Sequence, residues 1–201
     1  MQKILITGAN GLLGQKLVHF LANNPEIDLI ATARGKSRLS ISEGFSYEEM
    51  DLCNPAQIQE VIDKVRPDSI IHTAAMTNVD ICHQNPEGCW EANVTAVEYL
   101  IEQCLRHNIY LCHVSTDFVF DGENGPYQEE DQPAPISIYG KSKYEAELRV
   151  RASGLRWSII RTVLVYGIVP DMSRSNIILW VKSSLEKGQT IVVPGEELSN
   201  A

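Results

Sequence analysis

Short apolar runs alternate with amphipathic segments along most of the chain. The runs have the length of strands and lie at residues 3–7, 28–33, 45–50, 69–75, 109–115 and 157–165, the third being weaker than the others. Between them, helical periodicity covers residues 12–24, 55–67, 86–107 and a segment that opens with "YGKSK". Strands that alternate with helices in this rhythm predict a Rossmann-type, doubly wound parallel α/β sheet with helices on both faces.

A glycine-rich turn, "TGANGLLG" at residues 7–14, follows the first run and opens the first helix. Gly8, Gly11 and Gly14 permit a tight turn, close approach of the backbone to a pyrophosphate, and close helix packing. The free N–H groups at the start of the helix can bind phosphates. We therefore predict a dinucleotide site at this turn, and a purely structural turn is the alternative.

The segment "ATARGK", residues 31–36, bears on the choice of coenzyme. NAD-binding proteins usually carry Asp or Glu at the end of the second strand, whereas an Arg there accommodates the 2′-phosphate of NADP. This segment offers Arg34 and Lys36 and no carboxylate. It favours NADPH, with NADH as the alternative if Arg34 is only a solvated surface charge.

A tyrosine and a lysine, Tyr139 and Lys143, stand four residues apart in the "YGKSK" segment. Positions i and i+4 share one face of a helix, so the two side chains can meet. An unperturbed tyrosine has a pKa of about 10, and a cation within ~4–6 Å lowers a pKa by about 1–3 units. We expect Lys143 to lower the pKa of Tyr139 and make it a usable general acid for a carbonyl under reduction. This spacing is common on helices, and the glycine-rich turn is what favours a catalytic role for the pair.

Composition narrows the class of function. The 201 residues suit one domain or slightly more, and a net charge of −9 argues against a nucleic-acid binder. No apolar stretch approaches the ~18 residues of a membrane span, and the N-terminus lacks the features of a signal peptide, so we expect a cytoplasmic protein without membrane contact. The five cysteines cannot all pair, and the spacing of Cys82, His83 and Cys89 matches no common zinc pattern, so we expect no metal.

Together these motifs resemble the extended short-chain dehydrogenases/reductases over essentially the whole chain. The resemblance implies that Tyr139 and Lys143 are catalytic, that Thr116 hydrogen-bonds the reacting carbonyl, and that Asn93 in "EANVTA" holds a helix kink near the lysine. It implies coenzyme contacts from Gly8, Asn10, Gly11, Leu12, Leu13, Gly14, Arg34, Asp51, Leu52, Ala74, Ala75, Met76, Thr77, Asn93, Tyr139 and Lys143.

Within that family, the stretch "STDFVFDGENGPYQEEDQPAPISIYGKSKYEAE" resembles the dTDP-4-dehydrorhamnose reductase group. This implies NADPH-dependent reduction of the C4 ketone of a dTDP-4-dehydro-6-deoxy sugar, as in dTDP-L-rhamnose biosynthesis. Thr116, Asp117 and Phe118 would face the sugar, although Asp117 could instead brace the loop. Phe118 stands where the group commonly has Tyr, and Leu164 stands where it often has Trp. Both departures concern the identity of the sugar.

Two alternatives stay open at this point. The regulatory subunit of methionine adenosyltransferase resembles the same group, so a non-catalytic NADP-binding subunit is one, and a reductase or epimerase of another nucleotide sugar is the other. We expect residues 1–167 to form the NADP-binding domain and residues 168–201 to begin a substrate-binding lobe, because family members continue well past this length. A homodimer is a further expectation.

Overall fold

Six strands of the computed structural model, which describes residues 1–170 and 177–190, form one parallel sheet in the order β3-β2-β1-β4-β5-β6. The strands are β1 Gln2–Thr7, β2 Ile27–Ala33, β3 Ser46–Glu49, β4 Ser69–His72, β5 Tyr110–Thr116 and β6 Trp157–Thr162. The predicted fold class is confirmed. Two strands are shorter than predicted, since the runs at 69–75 and 157–165 leave the sheet after His72 and Thr162.

Seven helices connect or flank the strands in the described residues. They are α1 Leu12–Leu21, α2 Pro55–Val65, α3 Val79–Gln84, α4 Pro86–Trp90, α5 Ala96–His107, α6 Ile138–Ala152 and α7 Ile177–Glu186. The helix predicted over 86–107 is therefore interrupted, because a π-helical turn at Glu91–Thr95 separates α4 from α5. A 3₁₀ turn at Asp117–Val119 follows β5. None of the helices in the described part of the chain combines the length and the apolar character needed to cross a membrane.

The core lies on both faces of the sheet. Along β1, Leu5 packs with the side chains of α2, α5 and α6 on one face, while Ile4 and Ile6 pack with α1 on the other. A parallel strand that is covered on both faces must be apolar at successive positions, which explains the unbroken run at the start of the chain.

The strand order places the site. After β1 the chain adds β2 and β3 on one side of it, then returns to add β4, β5 and β6 on the other. Ligands of such sheets bind in the crevice at the carboxyl ends of the strands where this order reverses, here between β1 and β4. The segments that follow Thr7, His72 and Thr116 all leave the sheet at this edge.

Candidate active site

The glycine-rich turn forms the floor of the crevice. Gly8 has φ +70°, and a Cβ at this position would lie 2.8 Å from the Cα of Ala74. A Cβ at Gly14 would lie 2.7 Å from the Cα of Ala9 and closer still to the carbonyl oxygen of Gly8. Because Gly11 precedes α1 without a side-chain oxygen, and the first turn reads Leu-Leu-Gly-Gln without an acidic residue, the N–H groups at the helix start stay available to an anion. The turn therefore fits a pyrophosphate.

Asn10, in the same turn, hydrogen-bonds to the loop that follows β2. Leu12 and Leu13 begin α1 and are half-buried. Asn10 is buried, its amide donates to the carbonyl of Lys36 at 3.0 Å, and its carbonyl oxygen accepts from the backbone N–H of Arg38 at 2.8 Å. The side chain of Asn10 therefore holds the loop after β2 against the glycine-rich turn.

The end of β2 carries both signs of charge. Arg34 is exposed directly after the strand. Glu49 ends the adjacent strand β3, and its carboxylate accepts from the backbone N–H of Gly35 at 3.2 Å. Sequence reasoning missed this carboxylate, because it considered only the segment after β2 and not the strand that pairs with it. Asp51 and Leu52 follow β3 at the same edge of the sheet, and Leu52 packs on the core.

The segment after β4 is held by Asn93. Ala74, Ala75 and Met76 are half-buried and Thr77 is exposed, in the stretch that leads from β4 to α3. The Asn93 side chain makes two hydrogen bonds to Met76: its carbonyl oxygen accepts from the backbone N–H at 2.8 Å, and its amide donates to the backbone carbonyl at 3.0 Å. Asn93 is 1% exposed. The Asn93 side chain thus fixes the backbone of Met76 in the segment after β4, where the resemblance implied coenzyme contacts.

The π-helical turn lies where the resemblance implied a kink, and it aims Asn93 at α6. The Asn93 amide also donates to the hydroxyl of Ser142 at 3.0 Å, and that hydroxyl donates to the backbone carbonyl of Tyr139 at 2.7 Å. The thiols of Cys82 and Cys89 are buried against the Tyr139 ring. A polar link therefore runs from the β4 segment to the helix that carries the predicted catalytic pair, and Ser142 is a member that sequence reasoning did not identify.

The three predicted catalytic residues come together at the end of β5. Thr116 is the last residue of the strand, Tyr139 is the second residue of α6, and the Thr116 hydroxyl lies close enough to the phenol to act on its pKa. The Thr116 hydroxyl donates to the carboxylate of Asp117 at 3.0 Å and accepts from the backbone N–H of Phe118 at 3.2 Å. Phe118 is exposed and lies edge-on to the Tyr139 ring, with the ring centroids 5.7 Å apart.

Close packing of α6 on the 3₁₀ turn fixes this arrangement. A Cβ at Gly140 would collide with the backbone carbonyl oxygen of Phe118, so only glycine permits this approach. Ser137 caps the helix by accepting from the backbone N–H of Gly140 at 3.0 Å. The start of α6, and with it Tyr139, is thereby placed beside Thr116.

The electrostatics of the pair differ from the prediction. Burial raises the pKa of Tyr139, and the nearby Thr116 hydroxyl opposes that rise only in part. Burial also lowers the pKa of Lys143 to about 8, an effect that Glu147 reduces. The expected lowering of the Tyr139 pKa by Lys143 was wrong for this structure. The Lys143 ammonium instead donates to the backbone carbonyl of Val114 at 2.8 Å and to the Nε2 of His113 at 3.2 Å.

His113 is a further residue that sequence reasoning did not identify as part of the site. It is buried, but its ring contacts the predicted catalytic lysine. Leu111, His113 and Ser115 alternate as buried residues of β5, and Leu111 packs on α6. The alternation could have placed His113 on the face that meets this helix.

The family described as RmlD substrate binding domain matches residues 1–194. The chain belongs to this family. Among curated relatives of this RmlD-family chain, a dTDP-4-dehydrorhamnose reductase of Aggregatibacter actinomycetemcomitans is 36% identical over 168 residues, 83% of this chain and 53% of its own length. The subunit beta of methionine adenosyltransferase 2 from Pongo abelii is 32% identical over 178 residues, 88% of this chain and 51% of its own length.

A solved structure agrees with the fold. The crystal structure of dTDP-4-dehydrorhamnose reductase from Bacillus anthracis in complex with NADP is 30% identical, with a TM-score of 0.76, and is matched over 93% of this chain and 61% of its own. The resemblance to these reductases is confirmed. The RmlD-family chain spans about half the length of the two curated relatives.

Proposed function

We propose that this RmlD-family protein is an NADPH-dependent reductase of the C4 ketone of a dTDP-4-dehydro-6-deoxy sugar, with dTDP-4-dehydrorhamnose as the first substrate to test. One observation carries the proposal: Thr116 and Tyr139 lie next to each other at the carboxyl end of β5, with Lys143 buried one helical turn further on. The glycine-rich turn that fits a pyrophosphate opens at the same edge of the sheet.

The side chains of the site have distinct tasks in such a reduction. NADPH, when bound, would supply the hydride. Tyr139 would donate its phenolic proton to the substrate oxygen as negative charge develops there, and Thr116 would donate a hydrogen bond to the same oxygen. Lys143, one helical turn beyond Tyr139, would bind the hydroxyls of the nicotinamide ribose, as the family resemblance implies. Phe118, exposed beside Tyr139, offers an apolar face to the sugar.

Two groups at the ends of the paired strands β2 and β3 bear on coenzyme choice. Arg34 is exposed there and suits a 2′-phosphate, whereas Glu49 offers a carboxylate of the kind that binds a ribose 2′-hydroxyl. The Glu49 carboxylate accepts one hydrogen bond from Gly35 and keeps further acceptor sites, so the preference rests on the exposed Arg34 guanidinium, which suits a 2′-phosphate. This supports NADPH over NADH. Titration of each coenzyme into the protein and into Arg34→Ala tests it, and equal loss of affinity for both would contradict the assignment.

The activity test follows loss of reduced-nicotinamide absorbance with NADPH and dTDP-4-dehydro-L-rhamnose, in the full-length natural protein. Tyr139→Phe should lower kcat by about 10²–10⁴-fold, the usual worth of a positioned general acid. Tyr144→Phe is the matched control, because Tyr144 lies about 140° around the same helix from Tyr139. Equal turnover by the two variants would refute the assigned role of Tyr139.

A second candidate is a non-catalytic NADP-binding subunit. The similarity to subunit beta of methionine adenosyltransferase 2 favours it, and so does the raised Tyr139 pKa, which makes the phenol a weaker acid. Tight NADPH binding without turnover, together with co-purification of a methionine adenosyltransferase on the natural protein, would support this candidate against the reductase.

A further inference from the structure

A line of buried polar side chains crosses the sheet beneath the site. The Thr7 hydroxyl and the Nδ1 of His72 are hydrogen-bonded at 2.8 Å. The rings of His72 and His113 are stacked, with centroids 5.3 Å apart and planes 25° apart. The Nε2 of His113 lies 3.2 Å from the Lys143 ammonium. The line therefore joins the last residue of β1, next to the glycine-rich turn, to the lysine on α6.

The contact with Lys143 fixes the state of His113. An ammonium has three donors and no acceptor, so the Nε2 of His113 must be the acceptor and the proton must sit on Nδ1. Burial holds the His113 pKa well below its usual value, and the charges of Lys143 and His72 act in the same direction. His113 is thus a neutral imidazole that faces a buried cation with its lone pair.

The ionisable groups around Lys143 come from several elements. On α6 itself, Glu147 raises the Lys143 pKa and Tyr139 lies one turn away. The elements packed on α6 carry His113 in β5, Asp117 in the 3₁₀ turn, Cys82 in α3, Cys89 in α4, Glu98 in α5, Glu91 in the π-helical turn and Arg161 in β6. His72 of β4 is stacked on His113. Arg161 donates to both oxygens of the Glu147 carboxylate, at 2.7 and 3.0 Å. This pairing weakens the effect by which Glu147 raises the Lys143 pKa.

We propose that His113 is a positioning residue for Lys143, and that its Nε2 holds the ammonium between β5 and α6 in the orientation the site requires. The proposal rests on the proposed function only for its catalytic consequence, since the hydrogen bond exists whatever the protein reduces. A hydrogen bond to the charged form of a group favours that form. His113 therefore helps to keep a buried lysine protonated near neutral pH.

The direct test measures the Lys143 pKa by NMR titration of protein labelled with ¹³Cε-lysine, with the resonance assigned through Lys143→Arg. The expected pKa of the parent protein is about 8. His113→Phe keeps an aromatic ring for His72 to stack on but removes the acceptor, and it should lower the Lys143 pKa by about one to two units. His113→Gln can present an amide oxygen to the ammonium, and it should keep the pKa within about half a unit of the parent.

Controls separate this inference from the proposed reaction. His72→Phe preserves the stacked ring without touching Nζ, and the Lys143 pKa should stay within about half a unit of the parent. His113→Leu, with a smaller side chain, repeats the test should a phenyl ring unfold the protein. An unchanged Lys143 pKa in the folded Phe or Leu variant would overturn the proposal, with or without enzyme activity.

Turnover adds a second readout. If the protein reduces the sugar, the alkaline limb of kcat/KM against pH should move to lower pH in His113→Phe by the same amount as the Lys143 pKa, and His113→Gln should restore it. A shifted pKa without any turnover would support the positioning role and refute the reductase. Turnover by the parent protein, together with an unshifted Lys143 pKa in His113→Phe, would support the reductase and refute the positioning role.

Discussion

The buried ion pair between Glu147 and Arg161 allows a quantitative test of how α6 is held on the sheet. The Glu147 side chain is fully buried and that of Arg161 is 15% exposed. The guanidinium donates to both carboxylate oxygens, from Nε at 3.0 Å and from Nη2 at 2.7 Å. The guanidinium carbon also lies 5.0 Å from the centroid of the Phe120 ring. The pair thus joins β6, α6 and the loop after β5.

Glu147→Ala removes one partner and leaves a cation in a nearly closed site. Loss of one member of a buried pair costs about 3–5 kcal/mol, because the other charge is left without compensation. Arg161 retains some contact with solvent, so we expect a value near the lower end, about 3 kcal/mol. With a urea m-value of about 2–3 kcal/mol/M, the midpoint of urea unfolding should fall by about 1–1.5 M.

The assay is urea unfolding followed by circular dichroism, with Glu102→Ala as the matched control. Glu102 pairs with Arg106 on α5 at 3.3 Å, but both side chains are largely exposed, at 64% and 42%, so its loss should cost about 0.5 kcal/mol or less. Replacing both members, Glu147→Leu with Arg161→Met, should recover most of the stability, since apolar residues can substitute for a buried pair. A midpoint for Glu147→Ala equal to that of Glu102→Ala would refute the reasoning.

Two further predictions concern stability. Because burial lowers the Lys143 pKa to about 8, the unfolded chain binds more protons than the folded chain above pH 8. The free energy of unfolding should therefore rise by about 1–2 kcal/mol between pH 7 and 9.5, relative to Lys143→Met, in urea unfolding at each pH. Parallel pH curves for the two proteins would contradict this. Gly14→Ala places a Cβ against the carbonyl of Gly8 and should lower the free energy of unfolding by about 1–3 kcal/mol, measured by thermal and urea unfolding. Gly11→Ala should lower it less, because its Cβ would meet its nearest neighbour at 3.2 Å. Equal losses would show that the packing of α1 on the turn is not the cause.

Local sequence features predicted the sheet and the turn, but not where two strands end. The residues after His72 and Thr162 are as apolar as those before them, so the pattern alone extends both strands. The structure ends β4 at His72 because its partner Thr7 is the last residue of β1 before the glycine-rich turn. It ends β6 at Thr162 because its partner Thr116 leads into the 3₁₀ turn. A strand end is thus set by the neighbouring strand, which periodicity cannot show.

In the candidate site, too, some features could be predicted from the sequence and others could not. Thr116, Tyr139 and Lys143 were identified from motif and spacing, and the structure brings them together. The direction of the Tyr139 pKa was not predictable, because it depends on how much of the phenol is buried. The contact of His113 with Lys143 was also not predicted, because it joins residues 30 positions apart, although the alternation along β5 could have placed His113 on the face toward α6.

The π-helical turn at Glu91–Thr95 has a consequence for how this site tolerates change in length. It holds one more residue than an α-helical turn would. A chain shorter by one residue here could continue as a single α-helix, and the residues of α4 would then rotate by about 100° relative to α5. The sheet and the glycine-rich turn would be untouched, yet the carboxamide of Asn93 would turn away from Met76 and Ser142. The alignment of the segment after β4 with the helix of Lys143 therefore depends on the number of residues in the π-helical turn. After loss of one residue there, no substitution at Asn93 could restore this alignment.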